Sequence, residues 1–257
     1  MSAGRRVHVL VTRPPAQAAG WVERLRERGI DAESLPLIEI APLDDLAPLQ
    51  AAWRALAGST LVVFVSTNAV EQFFAARPAA LAWPDGVDAG APGPGTAQAL
   101  RDAGVSPQSI VSPDVDAASF DSEALWERLR DRDWHGARVT LVRGDGGREW
   151  LAARLREAGA RVDVVSAYRR VVPAFTGALR ERLDTALAND AAAWLFSSSE
   201  AIANLAQAAG RDRWRGARAI ATHPRIAARA RELGFGDVLE AGASLDAVVA
   251  CIQSIEP

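Results

Sequence analysis

Short apolar runs alternate with stretches of helical periodicity along most of the chain. Residues 7–12 form an apolar, β-branched run that is typical of a buried strand. Apolar residues then recur at the i, i+3, i+4 and i+7 spacing of one helix face, and Gly29 predicts the end of this helix. The residues on that face are Ala18, Trp21, Val22 and Leu25. This segment is therefore a predicted strand followed by a helix.

The same strand-then-helix pattern occurs four more times. The predicted strands are residues 61–65, 139–142, 193–196 and 217–221, and the helices after them start near Asn68, Arg148, Glu200 and Arg225. A weaker strand is predicted near Val87. Strands that alternate with helices of this length form parallel sheets covered on both faces, so the predicted fold class is α/β. Ligands in such folds bind at the carboxyl ends of the strands.

Three of these units recur in the same order about 131 residues later. The first match is Leu10, Val11, Leu25, Arg26, Glu27 and Gly29 with Leu141, Val142, Leu155, Arg156, Glu157 and Gly159. The others are Phe64, Ser66, Ala69 and Val70 with Phe196, Ser198, Ala201 and Ile202, and Pro94, Ala97 and Gly104 with Pro224, Ala227 and Gly234. Three matches in register predict two similar domains of roughly 120 residues.

Two extended stretches, residues 32–40 and 162–172, are longer than the usual strand of about 5–6 residues. Both lie at the same place in the repeat. A pair of strands crossing between two domains explains their length. The alternative, one continuous sheet, fits a repeated chain less well.

Composition excludes several classes of enzyme and partner. All 29 basic side chains are arginine, so chemistry that needs a lysine is excluded: a Walker-type phosphate loop, a pyridoxal enzyme or a Schiff-base aldolase. Arginine remains available for carboxylates, which it matches bidentately. A net charge of -3 without a basic stripe argues against a nucleic-acid or anionic-membrane partner.

No stretch of 18 apolar residues predicts a membrane span, and no signal-peptide pattern is present, so a cytoplasmic location is expected. The single cysteine, Cys251, cannot form an internal disulfide. Because it lies in an apolar helical pattern, a buried structural thiol is favoured over a nucleophile.

Polar residues follow six of the predicted strands, where helix N-termini offer free backbone N–H groups to an anion. Serine and threonine are also ordinary N-caps, which explains any one junction by itself. Six of them facing a common crevice predict an anion-binding site. The junctions are Thr12-Arg13-Pro14, Ser66-Thr67-Asn68, Gly93-Pro94-Gly95-Thr96, Arg143-Gly144-Asp145-Gly146-Gly147-Arg148, Ser197-Ser198-Ser199 and Thr222-His223-Pro224.

Other kinds of site match the sequence poorly. The first strand-to-helix turn has no glycine fingerprint for a dinucleotide, and Gly93-Pro94-Gly95 has Gln98 in place of the third glycine. His8, His135 and His223 have no spacing of a metal set, so no metal is expected. The residues from Ser197 to Ser199 lack the glycines that flank a hydrolase nucleophile.

Tyr168 is the only tyrosine, and it lies in the second extended stretch before Arg169 and Arg170. Its phenol is a candidate to protonate, or donate a hydrogen bond to, a leaving hydroxyl. The alternative is a half-buried strand tyrosine with its hydroxyl at the surface. The spacing leaves both interpretations open.

Taken in order, these motifs resemble those of the uroporphyrinogen-III synthase family over nearly the whole chain. Val65 departs from the family pattern, in which many relatives carry a hydroxyl residue at this position, whereas Ser197 keeps the hydroxyl in the other half. The segments that carry the resemblance are Val9-Leu10-Val11-Thr12-Arg13-Pro14, Leu35-Pro36-Leu37-Ile38, Phe64-Val65-Ser66-Thr67-Asn68-Ala69-Val70, Gly93-Pro94-Gly95-Thr96-Ala97, Arg143-Gly144-Asp145-Gly146-Gly147-Arg148, Ala167-Tyr168-Arg169-Arg170, Phe196-Ser197-Ser198 and Pro224-Arg225-Ile226-Ala227.

The resemblance implies two flavodoxin-like α/β domains with parallel sheets, joined by a two-stranded β connection. The expected boundaries are residues 1–36 with 171–257 for the first domain, 41–165 for the second, and 37–40 with 166–170 for the crossing strands. It implies a lyase that needs no cofactor or metal, and a monomer is the default expectation. The expected reaction converts hydroxymethylbilane into uroporphyrinogen III, with loss of water and inversion of the terminal pyrrole ring.

The resemblance also suggests roles for individual residues. Tyr168 matches the tyrosine that is thought to assist departure of the hydroxyl. The expected substrate-binding residues, taken from the family motifs and the junctions together, are Thr12, Arg13, Ser66, Asn68, Thr96, Arg143, Gly144, Arg148, Ser197, Ser198 and Thr222.

Two other functions fit parts of the pattern. A two-domain protein that binds small carboxylates without turning them over would use the same hinge and polar cleft. A nucleotide-sugar transferase would also have two doubly wound domains, but the chain is short for that class and lacks a diphosphate-binding glycine pattern.

Overall fold

The computed structural model describes residues 7–114, 117, 119–210, 213, 214 and 216–255. The chain divides into two compact units. Unit 1 consists of Met1–Glu39 and Val171–Pro257, and unit 2 of Ile40–Arg170. The chain therefore passes from one unit to the other twice.

All five predicted strand-and-helix units are present, and their boundaries agree within two residues. The strands are β1 (His8–Val11), β2 (Asp31–Ser34), β3 (Glu39–Ala41), β4 (Leu61–Phe64), β5 (Asp88–Gly90), β6 (Ile110–Val111), β7 (Arg138–Gly144), β8 (Arg161–Val171), β9 (Ala192–Phe196), β10 (Arg218–Ala221) and β11 (Asp237–Glu240). The helices are α1 (Pro15–Glu27), α2 (Ala47–Ala55), α3 (Thr67–Ala75), α4 (Pro94–Asp102), α5 (Ser122–Leu129), α6 (Trp150–Glu157), α7 (Gly177–Leu187), α8 (Ser199–Ala209), α9 (Pro224–Glu232) and α10 (Leu245–Gln253). In the described residues, 3₁₀ turns occur at Leu56–Gly58 and Pro107–Ser109.

Unit 1 is built on a five-stranded parallel sheet with the order β2-β1-β9-β10-β11. Numbered within the unit this order is 2-1-3-4-5, the flavodoxin-like arrangement. Side chains alternate across a strand, so Val9 and Val11 of β1 face the same way and pack with Leu25 of α1 and Val248 of α10. This packing covers one face of the sheet.

Unit 2 is built on a sheet with the order β3-β8-β7-β4-β5-β6, in which β8, β7, β4, β5 and β6 pair in parallel. With β7 as the first strand, these five repeat the order of unit 1, and β3 adds an edge. Val139 and Leu141 of β7 pack with Leu155 of α6, as Val9 and Val11 pack with Leu25. The predicted α/β fold with parallel sheets is confirmed.

The packing also corrects the alignment of the first repeat match by one residue. Because Val11 and Leu141 face equivalent helices, Val11 corresponds to Leu141, and the predicted match of Leu10 with Leu141 is wrong. Arg13 consequently corresponds to Arg143. One repeat is not one unit, since β1 and β2 belong to the sheet of unit 1 whereas β4, β5 and β6 belong to that of unit 2.

The two extended stretches differ in structure. Residues 32–40 contain β2 and β3, which belong to different sheets, so this stretch is not one long strand. Between them the N–H of Leu37 donates to the carbonyl of Thr12. The second stretch is a single strand of 11 residues, β8, which pairs with β7 as far as Tyr168. The boundaries proposed for the crossing strands remain a prediction.

No helix in the described part of the chain is long and apolar enough to cross a membrane. Cys251 is half-buried on α10, and burial raises the pKa of its thiol.

Candidate active site

The most distinctive polar contact in unit 2 joins two residues that are 102 positions apart. Ser66 follows β4 by two residues and is the N-cap of α3. Its backbone is extended, and its Oγ accepts a hydrogen bond from the N–H of Ala69 at 3.2 Å. The same Oγ lies 3.1 Å from the hydroxyl of Tyr168. Tyr168 is only 4% exposed. Its hydroxyl is therefore held by a partner, unlike the surface hydroxyl of the alternative interpretation.

This contact lies at the carboxyl ends of neighbouring strands. β4 and β7 pair at the position where the strand order of the unit reverses, which is where ligands bind in doubly wound sheets. A β-bulge between Arg143 and Gly144 aligns Gly144 with Tyr168 on β8. The N–H of Asp145 donates to the carbonyl of Tyr168 at 2.7 Å, so the backbone of Tyr168 is held against the residue that follows β7.

Arg143 lies one residue before Gly144 and is largely shielded, with 16% of its side chain exposed. Its Nη2 is 2.6 Å from a carboxylate oxygen of Glu149, while its Nε is buried and has no hydrogen-bond partner. Arg148, by contrast, is exposed and pairs with Glu123. Of the two predicted arginines in this loop, Arg143 is therefore the one that lies beside the phenol strand with donor capacity unused.

Asn68 and Thr96 lie in the first turns of α3 and α4 and are buried, at 7% and 6% exposure. The two helices pack against each other. Both predicted residues are thus close to helix N-termini that follow neighbouring strands of one sheet.

In unit 1 the predicted residues gather at the carboxyl ends of β1, β9 and β10. Ser198 caps α8 by accepting from the N–H of Glu200 at 3.1 Å, and Ser197 precedes it, half-buried. Thr222 is buried, and its N–H donates to the carbonyl of Phe196 at 3.0 Å.

Thr12 is 1% exposed, and its hydroxyl donates to the carbonyl of Leu195 at 2.7 Å. The donated proton joins β1 to β9 within the unit, so it is already used in holding the sheet together. Thr12 is the most buried of the predicted residues in unit 1, and its hydroxyl proton is already hydrogen-bonded within the protein.

Arg13 has an unusual environment for a cation. Its guanidinium lies over the ring of Trp21 at 4.3 Å from the centroid, and its Nε is buried without a hydrogen-bond partner. Burial, with a smaller contribution from Arg24, lowers the pKa of Arg13 to about 10. The group still carries its charge at neutral pH. A charged, poorly hydrated donor favours an incoming anion.

A family model described as uroporphyrinogen-III synthase HemD matches residues 19–250 of the chain. The chain belongs to the uroporphyrinogen-III synthase family. The uroporphyrinogen-III synthase of Escherichia coli (strain K12) is 32% identical over 253 residues, which cover 95% of this chain and 99% of that protein. The family predicted from the motifs is confirmed.

Two solved structures share the fold. A mutant uroporphyrinogen III synthase from the extremely thermophilic bacterium Thermus thermophilus has a TM-score of 0.59 at 19% identity, with 96% of each chain covered. The uroporphyrinogen-III synthetase from Helicobacter pylori 26695 also has a TM-score of 0.59, at 16% identity, with 98% of this chain and 100% of that chain covered.

Sequence reasoning missed Glu149 and Asn204, and it gave no separate role to His223. Glu149 pairs with Arg143, and His223 caps α9 by accepting from the N–H of Arg225 through Nδ1. Asn204 is buried on α8 and donates to the carbonyl of Leu37 at 2.7 Å. A signal existed for Asn204, because it is a polar residue on the otherwise apolar face of a helix.

Proposed function

We propose that the chain is a uroporphyrinogen-III synthase, a hydro-lyase of haem biosynthesis that acts on hydroxymethylbilane. The enzyme closes this linear tetrapyrrole into a ring, inverts the terminal pyrrole and releases water. Membership of the family supports the reaction class. The observation that carries the proposal is the hydrogen-bonded pair of Ser66 and Tyr168 at the N-terminus of α3.

In this proposal Tyr168 assists departure of the substrate hydroxyl by donating its phenolic proton. Ser66 already accepts a hydrogen bond from Ala69, so its own proton is available for the phenol oxygen. When the phenol gives its proton away, Ser66 donates to the resulting phenolate. The N-terminus of α3 favours the same negative charge. Water is then the leaving group, and no redox step is involved.

The acetate and propionate carboxylates of the substrate require cations and helix N-termini. Arg13 supports this role best, because its charged group is poorly hydrated and its Nε has no partner. Bidentate pairing of arginine with carboxylates would hold the bilane in one folded geometry, so catalysis is chiefly orientation. The full set of proposed substrate-binding residues is Thr12, Arg13, Ser66, Asn68, Thr96, Arg143, Gly144, Arg148, Ser197, Ser198 and Thr222.

The decisive experiment supplies hydroxymethylbilane generated in situ to the purified protein, then oxidises the products and separates the type I and type III uroporphyrin isomers. The expected product is predominantly type III. Type I, formed at the rate of the protein-free control, would leave a carboxylate-binding protein as the better interpretation.

We also propose that the enzyme acts as a monomer in the cytoplasm. Sedimentation at the assay concentration should give one species near the chain mass of 27.3 kDa. Fractionation of expressing cells should recover the activity with the cytoplasmic fraction, and activity sedimenting with membranes would contradict the location.

A further inference from the structure

Gly144 lies directly beneath the ring of Tyr168. A Cβ atom added at Gly144 would be 2.6 Å from Cε2 of that ring, 2.7 Å from Cζ and 3.1 Å from the hydroxyl oxygen. Favourable carbon–carbon contacts are about 3.5–4.0 Å, so any side chain here would occupy the space of the phenol. The atoms it would strike all belong to the reactive end of the tyrosine.

Backbone conformation does not explain this glycine. Gly146 and Gly147 in the same loop have φ angles of 72° and 127°, which favour glycine. Gly144 does not have a positive φ and ends β7 as an ordinary strand residue. Alanine therefore fits the backbone at this position, and the three atoms nearest to its added Cβ all belong to the phenol.

The strand order explains why the space is needed. Tyr168 is on β8 and Ser66 follows β4, while β7 lies between those two strands. Two strand spacings amount to about 10 Å, so the tyrosine reaches Ser66 only by lying across β7. The β-bulge aligns Gly144 with Tyr168 and thus puts the residue without a side chain under the ring.

The equivalent positions in unit 1 carry neither a glycine nor a tyrosine. The registers of β1 with β2 and of β7 with β8 relate His8 to Arg138 and Asp31 to Arg161. On this relation Gly144 corresponds to Pro14 and Tyr168 to Ile38. The glycine and the tyrosine therefore occur together in one unit only, so the shared fold does not require them.

We propose that Gly144 is a positioning residue for the Tyr168 phenol, whose hydroxyl it allows to reach Ser66. The effect on turnover rests on the proposed function, in which Tyr168 acts on the substrate. Gly144→Ala must move the ring by roughly 1 Å to restore normal contact. A misplacement of this size costs about 100-fold in rate, so we expect kcat to fall by about that factor while KM changes little.

The control variant is Gly58→Ala in the same unit. Its added Cβ meets only Nη1 of Arg138 at 3.6 Å, an ordinary contact, so kcat should stay unchanged. Gly144→Ala is then repeated in a Tyr168→Phe background. If Gly144 acts through the phenol hydroxyl, the alanine costs less than about 3-fold there, whereas a merely structural role would cost the same in both backgrounds.

A second readout does not depend on turnover. Tyr168 is the only tyrosine, so protein labelled with ¹³Cζ-tyrosine gives a single tyrosine resonance. Gly144→Ala should shift this resonance and Gly58→Ala should leave it in place. An unshifted resonance with an unchanged kcat would overturn the proposal and leave the proposed function standing. A shifted resonance in a protein that forms only type I product would overturn the function and leave the ring contact standing.

If Gly144→Ala folds poorly, the stability of the double variant Gly144→Ala with Tyr168→Leu tests the contact. Leucine lacks the three atoms that the added Cβ would strike, so the double variant should recover the stability of Tyr168→Leu alone. A double variant as unstable as Gly144→Ala would contradict the contact.

Discussion

Ser66→Ala removes one hydroxyl that makes two hydrogen bonds with different consequences. The bond accepted from Ala69 caps α3, and its loss lowers the free energy of unfolding by about 0.5–2 kcal/mol. The bond to Tyr168 stabilises the phenolate in the proposed reaction. A hydrogen bond to a charged group contributes about 1.5–3 kcal/mol. At 1.36 kcal/mol for each factor of ten, kcat should fall roughly 10-fold to 150-fold.

The assay follows formation of the type III isomer with kcat and KM determined separately, alongside thermal unfolding. Ser244→Ala is the matched control, because Ser244 caps α10 by accepting from the N–H of Ala247 at 3.2 Å, the same length as the cap at Ser66. Both variants should lose similar stability, and only Ser66→Ala should lose kcat. Ser66→Thr keeps a hydroxyl and should recover most of the rate. If Ser66→Ala is destabilised like the control but turns over normally, Ser66 is a helix cap and the donor role is wrong.

Three further outcomes are expected. Tyr168→Phe should lower kcat by roughly 10²–10⁴ and leave the circular dichroism spectrum unchanged; an unaltered rate would remove the phenol from the mechanism. Because burial raises the pKa of Cys251, its thiol should react slowly with iodoacetamide at neutral pH, and Cys251→Ala should retain full activity. Hydrogen bonds from Arg180 and Arg213 hold the pKa of Asp184 below its usual range. Its stabilising contribution is therefore present above the usual carboxyl pKa and is lost as the pH falls through the lowered value. Asp184→Asn should melt earlier than the wild type at pH 7, and this difference should shrink as the pH falls through the lowered value.

The sequence by itself determined five of the strand-and-helix units and the family. Apolar periodicity decides which face of a segment is buried, and this is a local property of residues close together in the chain. The strand β1 and the helix α1 were predictable for that reason, and so was the N-cap position of Ser66. The order of several weak motifs over the whole chain was specific enough to predict the family, although each motif alone was not.

Only the tertiary structure decided how the repeated strands are shared between the units. Equivalent strands carry similar apolar faces, so their local pattern does not say which sheet they join. The structure assigns β1 and β2 to the same sheet as β9, far along the chain. The structure also changed the alignment of β1 with β7 by one residue. A one-residue shift in a strand exchanges its two faces, so it is visible only in the packing.

The candidate site depends on the same long-range information. Tyr168 and Ser66 were separate candidates in the sequence, and their contact requires β8, β7 and β4 to lie side by side. Gly144 was predicted to bind substrate. In the folded chain it lies against the ring of Tyr168. A glycine has no side chain from which a role can be read. What it permits is set by the residue that the sheet brings over it.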